Sequence, residues 1–239
     1  VTADPSPPAA IEAIGVSAGY GHVPVLTDVS LYVRPGEIVA LVGANGVGKT
    51  TTLLTLAGEV PLTKGEVRID GVPTRRSLHR RARAGLRMIT EDRAVFMSLN
   101  VADNLRLAHK SIDEPLELFP ELKPLLNRRV GLLSGGEQQM LTLARALAGE
   151  AKILLADELS LGLAPLIVQR LLRSVRAAAD RGMAVLLVEQ QVRNAFAVAD
   201  RAYVLRRGRV VLEGTTAELR DRTDELEASY LSGDPGMAS

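Results

Sequence analysis

There is no cysteine among the 239 residues, so disulfides and cysteine-based zinc sites are excluded. That agrees with a reducing compartment such as the cytosol. Aromatic residues are scarce, 3% against 46% hydrophobic overall, so any core is built from Leu, Val, Ala and Ile. So few rings also leave no platform for stacking nucleic-acid bases. An excess of one charge is missing as well: 29 Lys and Arg face 28 Asp and Glu, a net of +1 that carries no bias toward polyanions. Nowhere does an apolar run approach the roughly eighteen residues of a membrane span. Residues 1–10 carry an Asp, three prolines and no positive charge, unlike a signal peptide. Flexible tails are expected over 1–10 and 233–239.

What is present reads as one α/β domain of ordinary size. Residues 11–33 alternate as two strands about a turn at Gly19, Tyr20 and Gly21. Residues 37–43 form a short apolar run, the pattern of a buried parallel strand. Similar runs recur at 153–156 and 183–188, each after a helical pattern, and together they predict a βαβ-type parallel sheet. Residues 93–150 look mainly helical, and no internal repeat is visible. A basic amphipathic helix is expected with Arg76, Arg80, Arg83 and Arg87 on one face and Leu78, Ala82 and Leu86 across from them. Its basic side is either a solvated face or one lying near anionic lipid headgroups.

Between the first apolar run and a helical pattern, residues 43–50 read Gly-Ala-Asn-Gly-Val-Gly-Lys-Thr, a complete G-x-x-x-x-G-K-[ST] phosphate loop. Gly43, Gly46 and Gly48 let the backbone turn its N–H groups, those beside Asn45 included, toward one anion. Lys49 brings a charge to the β- and γ-phosphates, and the Thr50 hydroxyl can reach Mg²⁺. From Thr51 the chain continues as a helix whose positive end faces the phosphates.

The strand at 153–156 leads into Asp157 and Glu158. Two acids at the end of an apolar strand are costly unless a cation sits there. Asp157 is placed to hold Mg²⁺, directly or through water. Glu158, expected to point the other way along an extended chain, is free to polarise an attacking water; the plainer alternative is an exposed acidic pair. Residues 133–139 read Leu-Ser-Gly-Gly-Glu-Gln-Gln. Ser134 and Glu137 have capping-box spacing, the plain reading of a helix start. Gly135 and Gly136, however, weaken a first turn and suit a backbone that must approach an anion.

This last heptapeptide, beside a phosphate loop, resembles the signature of the ABC ATPases. The resemblance covers about residues 11–232. Residues 95–105, 118–122, 133–141 and 160–165, together with Val188-Glu-Gln-Gln191, look closest to the ATP-binding subunits of high-affinity branched-chain amino acid importers, the LivF type. It implies a P-loop NTPase cassette, α/β with a mainly parallel sheet, an antiparallel β subdomain and an inserted helical subdomain. The core would comprise 11–92 and 151–215, the helical subdomain 93–150 and a C-terminal helix 216–232.

The same resemblance implies hydrolysis of ATP with Mg²⁺ at the cytoplasmic face of the cell membrane, by a peripheral subunit bound to membrane permease chains. A solute-binding protein would be an indirect partner, and nucleic acid is not expected. Two cassettes would pair head to tail, with Ser134, Gly135 and Gly136 of one facing the γ-phosphate held by the other. A different cassette is favoured over a second copy. Tyr20 matches the adenine-stacking aromatic, although an ordinary turn tyrosine fits the position too. Three departures stand out: Glu91 where Gln usually binds Mg²⁺, Gln190 where His usually meets the γ-phosphate, and Leu159 in place of Pro, with the Asp of the following loop also missing. They bear on the hydrolysis rate and on cross-talk between subunits. Other cargo such as urea or short amides, an ABC ATPase acting on nucleic acid, and a protein that binds ATP without cleaving it are the competing expectations.

Overall fold

The computed structural model describes residues 8–92 and 94–220. The expected tail over 233–239 and most of the expected C-terminal helix over 216–232 lie outside the described residues, as do residues 1–7. Ala10, expected in the leading tail, is buried, and its N–H donates to the Val33 carbonyl at 2.9 Å.

Two sheets and the helices around them account for the described chain. Strands β1 (Ile11–Tyr20) and β2 (Val23–Val33) form the expected hairpin, but its turn is Gly21 and His22: Gly19 and Tyr20, expected in the turn, are strand residues paired with Pro24 and Val23. Strand β3 (Ile38–Val42) is buried at every residue and leads into helix α1 (Lys49–Ala57). Strands β4 (Leu62–Ile69) and β5 (Val72–Pro73) complete an antiparallel sheet in the order β2-β1-β4-β5. Helix α2 (Leu78–Arg83) and strand β6 (Leu86–Ile89) follow. Next come helices α3 (Val101–Arg106) and α4 (Asp113–Leu118), two short 3-10 segments and helix α5 (Gly135–Leu147). The chain then alternates through β7 (Ile153–Asp157), α6 (Pro165–Asp180), β8 (Ala184–Glu189), α7 (Val192–Phe196), β9 (Arg201–Arg206), β10 (Arg209–Thr215) and α8 (Thr216–Arg220).

The second sheet runs β10-β9-β3-β8-β7-β6. Its neighbours from β9 to β6 are parallel, and only β10 is antiparallel. Strands β3, β7 and β8 are buried on both faces, which is why they read as unbroken apolar runs rather than alternating ones. One face packs on α5, α6 and the helical segment through Leu141, Leu171 and Val175, and the other on α1 and the antiparallel sheet through Leu53, Leu56, Val29 and Leu31. In a parallel sheet every strand ends at the same edge. The register sets Val42 beside Glu189 and Asp157 beside Val188, so the loops after β3, β6, β7 and β8 meet there. Ligand sites of open α/β sheets lie at this edge.

The basic helix differs from expectation. Helix α2 spans only 78–83, ended by Ala84 and by Gly85 at φ 104°, so Leu86 and Arg87 are residues of strand β6, and Arg76 precedes the helix. Its most buried basic residue is Arg81, 3% exposed, whose guanidinium donates to the carbonyl of Leu56 and, at 2.8 Å, to that of Arg76. A cation on the last carbonyls of α1 offsets the negative end of that helix. Helical periodicity in the sequence ran across a turn that only Gly85 marked.

Candidate functional site

The loop between β3 and α1 is shaped by its glycines. Gly48, the residue before the helix, has φ 110°, a region that side chains rarely enter, and a Cβ there would press on Leu26. A Cβ on Gly43 would overlap the Leu205 carbonyl. No side chain caps α1, so the first amides of the helix stay open to an anion. Lys49 lies across the loop: its ammonium donates to the carbonyls of Gly43 at 2.9 Å and Ala44 at 3.1 Å, and reaches Asn45 Oδ1 at 3.5 Å.

Opposite stand the two acids. Asp157 Oδ2 accepts from the Thr50 hydroxyl at 2.7 Å, while Asp157 Oδ1 is buried with no partner. Glu158 approaches Lys49 at 3.8 Å. Its backbone corrects one expectation: the strand stops at Asp157, and Glu158 sits at φ 47° rather than in an extended chain. For a residue with a Cβ this costs on the order of 1–2 kcal/mol, and Glu158 lines the same cleft as Lys49 and as Thr50, the partner of Asp157.

That cleft has a volume of about 340 Å³. Asn45, Gly46, Gly48, Lys49, Thr50 and Thr51 line one side, and Glu91, Glu158, Leu161 and Gln190 the other. A second cavity of about 290 Å³ shares Glu91, Glu158 and Leu161 and is bounded by Gln139 of α5. Thus the loops after four parallel strands deliver the phosphate loop, Glu91, the acid pair and Gln190 to one place.

The electrostatics suit a ligand that carries both signs. Burial holds the Lys49 ammonium below the usual lysine range, despite the pull of Glu158, Asp157 and Glu189. Burial also raises the carboxyls of Asp157 and Glu158, against Thr50 and Lys49 for the first and against Lys49 for the second. The ion pair alone would shift Lys49 and Glu158 the other way, so loss of solvation outweighs their attraction. Anionic oxygens beside Lys49 and a cation beside the acids would reverse both penalties.

Among the described residues no cluster of three His, Cys, Asp or Glu side chains could enclose a metal. Mg²⁺ does not need one, since it keeps waters and takes one or two protein ligands plus phosphate oxygens. The unpartnered Asp157 Oδ1, the adjacent Thr50 hydroxyl and Glu91 on the same cleft fit that demand.

Two groups of expected residues are not among those lining the cleft. Tyr20 ends β1, 53% exposed and paired with Val23, and the hairpin reaches the cleft through Val25 instead. Ser134, Gly135 and Gly136 open α5 and are absent from the cleft lining of their own chain. The capping box is complete: Glu137 Oε2 accepts from Ser134 N at 2.7 Å, and Ser134 Oγ accepts from Glu137 N at 3.3 Å. Gly136 also has a packing reason, because a Cβ would stand 3.1 Å from Ile167 of α6.

Sequence reasoning missed Gln139, Ser160 and Glu189. Glu189 is 1% exposed and accepts from Ser160 N at 3.1 Å and Ser160 Oγ at 2.6 Å; burial pushes its carboxyl up to about 7. An acid closing an otherwise apolar run was the available signal.

A phosphate loop facing an Asp-Glu pair at the carboxyl edge of a parallel sheet defines a P-loop nucleotide-binding protein. The family model described as ABC transporter matches residues 26–160. The high-affinity branched-chain amino acid transport ATP-binding protein BraG of Pseudomonas aeruginosa is 41% identical over 232 residues, covering 91% of this chain and 97% of its own. The lipopolysaccharide export system ATP-binding protein LptB of Escherichia coli K12 is 34% identical over 238 residues, 95% of this chain and 98% of its own. A solved structure of an ATP binding subunit of an ABC transporter has a TM-score of 0.77 at 28% identity, covering 94% of this chain and 97% of that one. The chain belongs to the ABC transporter family as an ATP-binding cassette, an ATP-hydrolysing subunit.

Proposed function

We propose that the chain powers an importer of branched-chain amino acids from the cytoplasmic face of the membrane, with hydrolysis carried out by the cleft residues. The observation that carries the chemistry is Thr50 bonded to Asp157, with the second Asp157 oxygen unpartnered and Glu158 within 3.8 Å of Lys49. Lys49 and the loop amides bind the β- and γ-phosphates. Thr50, Asp157 and Glu91 would hold Mg²⁺, which when bound neutralises phosphate charge. Glu158 takes the proton from the attacking water, and Gln190 donates to the γ-phosphate from the far wall. Tyr20 stacks on adenine. The residues 11–92 and 151–215 act as the nucleotide-binding core, with 93–150 as the helical subdomain.

A second cassette supplies Ser134, Gly135 and Gly136 to complete the site, and a different cassette is favoured over a second copy. A permease meets the face formed by Phe96, Met97 and Leu132, exposed apolar side chains held together by a bond from Gly131 N to Met97 O. The loop bearing Phe96 is fastened to α3 by fully buried Asn104, whose amide exchanges bonds of 2.9 and 3.0 Å with the Phe96 backbone. A solute-binding protein takes part only through the permease.

Support for the cargo is likeness: 41% identity to BraG against 34% to LptB, and the passage 160–165 with 188–191. Uptake of labelled leucine and labelled urea by cells lacking the chain tests it. Leucine uptake is expected to fall severalfold with urea uptake untouched. Normal leucine uptake would refute the assignment of cargo.

A further inference from the structure

We propose that Glu189 is a positioning residue for hydrolysis: its buried carboxyl grips Ser160 and thereby holds Glu158 in the backbone conformation that turns it into the cleft. The inference rests on the reading of Glu158 as the residue that activates water.

Glu158 occupies the left-handed region at φ 47°, a conformation that persists for a non-glycine residue only where surrounding contacts impose it. Those contacts are visible on both sides. Glu158 N donates to the Val188 carbonyl at 2.9 Å. Two residues on, Ser160 gives both its amide, at 3.1 Å, and its hydroxyl, at 2.6 Å, to the two oxygens of Glu189. Residues 158–160 are thus fastened to residues 188–189 at each end of the turn, with Leu159 buried between at 1% exposure. Leucine, unlike proline, leaves its own φ free, so no ring restrains this turn. The bonds to Glu189 do that work.

The site of the grip matters as much as its strength. Glu189 is the last residue of β8, and Gln190, the next, lines the cleft opposite Lys49. One buried pair therefore sets the loop carrying Glu158 against the strand end carrying Gln190, the two groups read as acting on the water and on the γ-phosphate. Glu189 itself is enclosed and absent from the cleft lining, so it acts through its neighbours. An error of about 1 Å in a reacting geometry is enough to cost on the order of 100-fold in rate. Nucleotide affinity, carried by the phosphate loop, does not depend on the turn.

The test uses the full chain and measures steady-state hydrolysis of Mg-ATP alongside equilibrium binding of labelled ATP. The variants are Glu189→Ala, Glu189→Gln, Ser160→Ala and the Glu189→Ala/Ser160→Ala double. Glutamine keeps an oxygen for the Ser160 amide and an NH₂ for the hydroxyl oxygen. The expected result is kcat about tenfold lower for Glu189→Ala and about threefold lower for Ser160→Ala, with Kd and KM within about twofold of the parent. Glu189→Gln should keep at least about a third of parental kcat, and the double should be no slower than Glu189→Ala, because both changes break one contact. If Glu189→Ala does not fold, Ser160→Ala, which removes a single hydroxyl, carries the test. Unchanged kcat in Ser160→Ala, a Glu189→Gln enzyme as slow as the alanine variant, or affinity falling in step with kcat would overturn the proposal. A Glu158→Gln control at the parental rate would overturn the role of Glu158 and the grip with it. A slow control beside fully active Glu189 and Ser160 variants would overturn the grip alone.

Discussion

Lys49 illustrates how one side chain is prepared for an anion. It is 5% exposed, its ammonium is spread over two carbonyls, and Glu158 at 3.8 Å is the nearest opposite charge. Carbonyl dipoles solvate the charge incompletely, so burial lowers its pKa, and phosphate oxygens would improve its surroundings. Lys49→Ala removes a charge-assisted contact worth about 1.5–3 kcal/mol. Equilibrium binding of labelled ATP with Mg²⁺ should therefore weaken by roughly 10- to 150-fold. Affinity equal to the parent would place the nucleotide elsewhere.

At the scale of elements, the parts legible in the sequence were those with a local signature. The strand 38–42, the phosphate loop and the capping box at Ser134 and Glu137 each carry their geometry in consecutive residues. Strand β8 was legible because burial on both faces leaves no polar residue before the Glu189 that closes it. Helix α2 was not, since Arg76 and Arg87 have helical spacing while Gly85 breaks the backbone between them. The conformation of Glu158 was also hidden, because it is imposed by Val188 and Glu189, thirty residues away in the chain. The same holds for Arg81, whose role depends on the end of α1 lying beside it in space. Tyr20 could be placed on the hairpin from sequence, but its absence from the cleft lining could not.

For the whole molecule, the decisive feature of the proposed site is that it draws on two cassettes. Lys49, Glu158 and Gln190 line the cleft, with Asp157 bonded behind Thr50, while Ser134, Gly135 and Gly136 open another helix and are absent from that lining. A pair of identical chains would place Gln190 in both composite sites. Glutamine donates a hydrogen bond without positive charge, and a donor to charge developing in the transition state is worth roughly 100- to 1,000-fold in rate. Since Gln190 keeps part of that, Gln190→His should raise the isolated chain's rate by about tenfold in a steady-state ATPase assay, and a partner cassette that carries the His should raise it too. No gain from either would contradict the preference for a mixed pair.

The most direct test of the central claim is ATP hydrolysis by Glu158→Gln, measured beside ATP binding and elution on a sizing column. The amide is nearly isosteric but a far weaker base, so hydrolysis should fall about 100- to 10,000-fold. Binding should be retained, and with ATP uncleaved the paired cassettes should elute as a dimer. Hydrolysis at the parental rate would contradict the account.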